Sequence, residues 1–113
     1  MDDERVILCA SSKYEEKYYL NPAFEGVPQG IKDELQAMCV LFTEDIGGIL
    51  TLEYDENANL QFVTMSDEND ILYDEIGSVL KIKQLRSTRQ ELLESLEMYY
   101  KVFILGQPID EVE

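Results

Sequence analysis

The sequence contains no histidine and no tryptophan, only three prolines and two cysteines, and nine basic residues against 24 acidic ones in 113 positions. Without histidine there is no His-dependent catalytic triad, no imidazole metal ligand and no general base that ordinarily titrates near neutrality. Cys9 and Cys39 lie in apolar stretches, form no CxxC pair and offer no zinc-ligand spacing, so they read as reduced core residues. The glycines build no GxGxxG or GKS/GKT phosphate loop, and Gly47-Gly48 reads as a helix stop. The longest uninterrupted apolar run, Ala37 to Phe42, falls far short of the roughly 20 residues that span a bilayer. The opening residues Met1-Asp2-Asp3-Glu4 lack the positive charge of a secretory signal. A cytoplasmic location is expected, since unpaired thiols fit a reducing compartment.

What is present suffices for a core: 45% of the residues are apolar and 10% aromatic. The length suits a single domain, expected over residues 1–106, followed by a flexible acidic tail over 107–113. A formal net charge of −15 argues against nucleic acid or an anionic membrane as a direct partner.

Periodicity sets out the elements. Val6 to Ala10 and the tyrosine-rich Lys17 to Leu20, separated by the polar Ser11 to Glu16, read as a β-hairpin. Ile31, Leu35, Met38, Cys39 and Phe42 recur at helical spacing, and the all-apolar or small stretch Ala37 to Phe42 predicts cover on more than one side of that helix. Ile49 to Tyr54 and Leu60 to Met65, joined by Asp55 to Asn59, read as a second hairpin, with Leu50, Leu52 and Tyr54 on one face and Thr51 and Glu53 on the other. Leu72, Ile76, Val79 and Leu80 predict a second helix from Ile71 to about Leu85, although Leu80-Lys81-Ile82-Lys83 also fits an edge strand. Ser87 and Thr88 are candidate N-caps, and Thr88 with Glu91 has capping-box spacing for a third helix, which carries Leu92, Leu93, Leu96, Tyr99, Tyr100 and Phe103 and ends at Gly106 and Pro108. The order ββαββαα predicts a two-layer α+β fold: a four-stranded antiparallel sheet of two hairpins with about three helices over one face.

Few constellations suggest chemistry. Asp55, Asn57 and Asn59 alternate as at the start of a calcium loop, but Leu60 stands where glycine is required and Ser66 where the closing glutamate belongs, so a plain hairpin turn is expected. Asp67, Glu68, Asp70, Asp74 and Glu75 place five carboxylates within nine positions. Asp70 and Asp74 on one helical face would form a weak Mg²⁺ or Ca²⁺ site, whereas the plainer reading is an acidic helix N-terminus complementing the dipole. Lys81, Lys83, Arg86 and Arg89 gather four of the nine basic residues in a stretch without acids, either as an anion or acidic-partner site or as the matching charge of the helix C-terminus. No feature singles out a catalytic pair among the 24 acids. No catalytic, cofactor-binding or metal residue is therefore assigned.

The tyrosines stand out as contact residues, since tyrosine buries much area at little rotamer cost and keeps a polar end. Tyr18 and Tyr19, adjacent on a strand, must face opposite ways. Tyr99, Tyr100 and Phe103, with the apolar run Val102 to Leu105, make the end of the third helix the leading candidate for a partner or self-association surface, the alternative being a fully buried helix.

The segments Ile31-Lys32-Asp33-Glu34-Leu35, Met38 to Glu44 with Gly47-Gly48, and Leu72-Tyr73-Asp74-Glu75-Ile76-Gly77 with Leu80-Lys81-Ile82-Lys83 resemble an uncharacterised family of short acidic proteins from Gram-positive anaerobic bacteria. The resemblance covers most of the chain and implies a free-standing bacterial cytoplasmic protein, with no activity or ligand to carry over. Three functions compete. A non-enzymatic interaction module, self-association included, stands first. An acidic decoy that occupies the basic surface of a nucleic-acid-binding protein is supported by the net charge and opposed by the even spread of acids, 13 in residues 1–57 and 11 in 58–113. A divalent-metal or carboxylate enzyme using Asp67 to Glu75 comes last.

Overall fold

The first strand already departs from simple alternation. In the computed structural model, which describes residues 5–108, β1 (Val6–Ser12) pairs antiparallel with β3 (Ile49–Tyr54), Ile7 opposite Glu53 but Cys9 opposite Leu52, so that Leu8 is an extra, bulged residue. The bulge brings Val6, Cys9 and Ser11 to the face of Tyr54, Leu52 and Leu50, and leaves both Leu8 and Cys9 fully buried. On the outer flank of β1 lies β2 (Lys17–Leu20), and β4 (Leu60–Met65) flanks β3, giving an all-antiparallel sheet in the order β2-β1-β3-β4.

This is the expected α+β, two-hairpin fold in the expected element order. The inner face carries Leu50, Leu52 and Tyr54 of β3, opposite Thr64, Phe62 and Leu60 of β4, and receives α1 (Gln29–Ile46) through Leu35, Met38, Cys39, Phe42, Thr43 and Ile46. Those helix positions recur every three or four residues, the spacing that turns one stripe to a sheet. Burying a leucine such as Leu35 contributes about 1.5–3 kcal/mol. The helix stops at Gly47 (φ 95°), and Gly48 (φ 71°) starts the way back into the sheet. A Cβ at Gly48 would lie 2.6 Å from the Met65 carbonyl and 2.8 Å from the Tyr73 ring, so both the backbone angle and the close approach require glycine there. The opposite sheet face has Ile7, Tyr19 and Met65 exposed, with no helix among the described residues laid over it.

Several local expectations are corrected. Ala37 and Leu41 are exposed, so the apolar second half of α1 is covered on its sheet side but open on the other. The second helix, α2, runs over Glu75–Thr88, which makes Leu80 to Leu85 helical but starts the helix four residues later than its periodicity suggested. Asp74 is the reason: its side chain accepts from the Gly77 amide at 2.8 Å as an N-cap, while its own amide donates to the Ile46 carbonyl at 3.1 Å. Thr88 is no cap, because it lies inside the last turn of α2. The joint to α3 (Gln90–Tyr99) falls at Arg89, whose side chain makes no capping hydrogen bond. Finally, α3 widens into a π turn over Tyr100–Ile104, closed by the Leu105 amide on the Tyr100 carbonyl at 2.9 Å. Of the expected tail, Gln107 still donates its amide to the Lys101 carbonyl, and residues 109–113 lie outside the described residues.

Candidate functional site

Three places bring chemistry-bearing side chains together. At one end of the sheet the ring of Tyr54 stacks on Tyr100 with centroids 4.0 Å apart, and Phe24, from a single 3-10 turn (Pro22–Phe24), lies 5.7 Å from Tyr54 and 5.9 Å from Tyr99. The Tyr54 hydroxyl donates to the Leu96 carbonyl at 2.8 Å, and burial pushes its pKa far up. The π turn thus sends Tyr100 into the core, where it is buried, leaves Tyr99 half-buried between Phe24 and Phe103, and turns Phe103 to solvent. Of the three aromatic residues at this end of the chain, only Phe103 presents a largely free ring.

The second place is a cleft of about 250 Å³ between the β1–β2 hairpin and α1, lined by Ser11, Lys17, Tyr18, Gln36, Thr43 and Glu44 among others. Ser11 Oγ and Thr43 Oγ1 share a 2.8 Å hydrogen bond, and Thr43 also donates to the Val40 carbonyl at 3.1 Å, so Ser11 is the donor of the pair. Deeper in the core, Cys9 Sγ and Cys39 Sγ are 3.7 Å apart, both thiols free and buried. Their mutual hydrogen bond and burial hold the Cys39 thiol well above its ordinary pKa, which keeps it protonated and unreactive. Tyr18 turns inward beside this pair, its hydroxyl sealed from solvent without a hydrogen-bond partner and its pKa raised chiefly by burial. Tyr19 turns outward, exposed on the open sheet face, as adjacent strand positions require. Tyr18 and Tyr19 are on β2, whereas Tyr99, Tyr100 and Phe103 belong to α3 and its π turn; the contacts of the latter three are with one another and with the aromatic end of the core.

The third place is the segment Ser66–Asp74 together with the outer side of α2. The Tyr14 hydroxyl donates to the Asp70 carboxylate, which raises the tyrosine pKa, and accepts from the Asp67 amide at 2.9 Å; together the two bonds pin the loop to the first hairpin. Asp70 also accepts from the Leu72 amide at 3.0 Å, and the Tyr73 ring closes over Gly48. Asp70 and Asp74 therefore do not share a helical face; both precede α2, and each carboxylate is engaged by donors of the chain itself. Among the described residues no group of three or more Asp, Glu, Cys or His side chains is placed to hold a metal ion.

That pinned loop and the helix after it display apolar side chains to water: Ile71 is 93% exposed, Leu72 86%, Ile76 76%, Val79 65% and Leu80 63%. The inward side of α2 is carried by Ser78, Ile82 and Leu85. The apolar period found in the sequence is therefore a surface stripe. Three of the four basic residues that follow are engaged: Lys81 lies 3.8 Å from Asp45 on α1, Arg89 pairs with Glu34 at 3.1 Å, and Arg86 donates to the Leu60 carbonyl at 3.1 Å with its guanidinium over the Phe62 ring. Lys83, exposed at the far end of the stripe, forms no ion pair among the described residues.

The fold and this surface define a small two-layer α+β protein whose second helix carries more apolar residues on its outer side than on its inner one. Over residues 5–108 the chain matches the family of unknown function DUF6145, and it belongs to that family. No curated protein and no solved structure matches it significantly. No helix among the described residues is long and apolar enough to cross a membrane.

Proposed function

We propose that the protein is a non-enzymatic protein-interaction module of the bacterial cytoplasm. The observation that carries this reading is the apolar stripe Leu72, Ile76, Val79 and Leu80, continued by Ile71, held open to solvent by a hydrogen-bonded loop and a capped helix. Contiguous exposed apolar surface on a folded domain marks a contact site, because burying it against a partner gains about 25 cal/mol per Å². Phe103 and Tyr19 add exposed aromatic contact positions, with Tyr99, Tyr100 and Tyr18 packed behind them. The unpaired core thiols fit a reducing compartment.

The test is a quantitative capture experiment from the native host with the wild-type chain and an Ile76→Asp/Leu80→Asp variant as baits. Both positions are exposed, so thermal unfolding of the variant should match the wild type within about 0.5 kcal/mol. The expected outcome is loss of the proteins bound by the wild type, further copies of the chain included. A variant that retains every bound protein would overturn the reading.

A further inference from the structure

The outer side of α2 is self-complementary. Glu75, Val79 and Lys83 follow one another at four-residue spacing and so form one ridge along the helix, with Ile76 and Leu80 on the neighbouring ridge. Val79 is at the midpoint; a carboxylate lies one turn before it and an ammonium one turn after. Both charged residues are exposed, and neither forms an ion pair among the described residues. Glu75 and Lys83 are eight residues apart, about 12 Å along the helix axis.

A ridge of the pattern negative–apolar–positive fits itself when reversed. Two copies laid antiparallel about a two-fold axis at Val79 bring Glu75 of each opposite Lys83 of the other, with Ile76, Val79 and Leu80 desolvated between the two ion pairs. A parallel arrangement would set Glu75 against Glu75 and Lys83 against Lys83. The net charge of −15 disfavours contact between copies over most of the surface. The outer side of α2 meets that difficulty by placing one cation and one anion symmetrically around an apolar centre.

Resting on the interaction-module reading, we propose that this face of α2 binds a second copy of the chain, forming an antiparallel two-fold α2–α2 contact centred on Val79. The choice of a second copy over an unrelated partner comes from the antisymmetry of the ridge, which a heterologous contact would not require. The contact comprises one helix pair and the loop before it, and association of about micromolar strength is expected.

The experiment is sedimentation equilibrium on the full chain between about 10 and 300 μM at about 150 mM salt. The wild type is expected to approach twice 13.1 kDa with rising concentration. Val79→Asp, which sets two carboxylates together on the axis, should remain monomeric. Glu75→Lys and Lys83→Glu should each weaken association about tenfold, because symmetry turns one reversal into two like-charge contacts. The double variant Glu75→Lys/Lys83→Glu should regain it, and an equimolar mixture of the two single variants should form a heterodimer. Circular dichroism should show all variants folded, since the positions are exposed.

A dimer insensitive to Val79→Asp, or a double variant no better than the singles, overturns the proposed geometry. A wild type that stays monomeric at 300 μM overturns self-association. In that event, loss of another captured protein by the Ile76→Asp/Leu80→Asp bait leaves the interaction reading standing, whereas unchanged capture removes both.

Discussion

Asp55 shows how a residue that looks like a ligand is used by the fold. Its Oδ1 accepts from the amides of Asn57 and Asn59 at 2.9 and 3.0 Å, and its Oδ2 from the Gln61 side chain at 2.8 Å. The alternation of Asp and Asn resembling a calcium loop is thus an Asx-type turn whose carboxylate is filled by the chain's own donors. The Asn59 amide is the foremost cause that holds the Asp55 pKa below the ordinary carboxylate value, with the Asn57 amide and Gln61 adding to it. A depressed folded-state pKa stabilises the hairpin above the unfolded value, near 3.9, and that stabilisation is lost as pH falls through the lower folded value. Asp55→Asn keeps an acceptor for the two amides but does not titrate. Its thermal midpoint should therefore fall less than that of the wild type between about pH 5 and pH 2; parallel pH curves would show that the carboxylate charge does not matter. Among the tyrosines, composition identified contact-prone residues but not their exposure. Tyr100 is drawn inward by a π turn that no residue type announces, and Tyr18 is separated from Tyr19 by strand parity alone.

Among the elements, the second hairpin and the body of α1 were legible because alternation and helical spacing directly encode which side chains share a face. Three features were not. The bulge at Leu8 depends on the partner strand, and the unbroken apolar run Val6 to Ala10 is compatible with either parity. The start of α2 is set by tertiary contacts, Tyr73 on Gly48 and the Asp74 amide on Ile46, that outweigh the periodicity of Leu72 and Ile76. The same periodicity shows that Ile76, Val79 and Leu80 share a side without telling whether it faces the sheet or water, which is why the candidate contact surface was hidden in the sequence. The cap that replaces the expected start is testable. Asp74→Ala leaves the Gly77 amide without its acceptor and should cost about 1 kcal/mol in urea unfolding, while Asp74→Ser recovers most of it. Equal stability of all three proteins would mean that the Ile46–Asp74 backbone bond alone sets the boundary.

For the whole molecule, the excess of acid dominates, and its effect on stability has a definite sign. Ion pairs such as Arg5–Glu53, Lys13–Glu44 and Lys32–Glu25, each 3.4 Å long, have at least one partly exposed member. Such pairs contribute about 0–1 kcal/mol each, and salt removes little with them. The carboxylates left over repel one another through the folded state at low ionic strength, where the screening length is about 30 Å at 0.01 M against about 8 Å at 0.15 M. Unfolding moves those charges apart, so repulsion favours the unfolded chain when screening is weak. Raising sodium chloride from about 10 to 150 mM should therefore raise the melting temperature, by a few degrees if the relief is about 0.5 kcal/mol. Association through α2 would itself stabilise the folded state, with a salt dependence of its own set by the Glu75–Lys83 pairs. The measurement is therefore made on Val79→Asp at low protein concentration, where only the folding of one chain is read. A rise in the variant assigns the salt effect to repulsion within the chain. A fall would mean that the paired surface charges outweigh the unpaired ones.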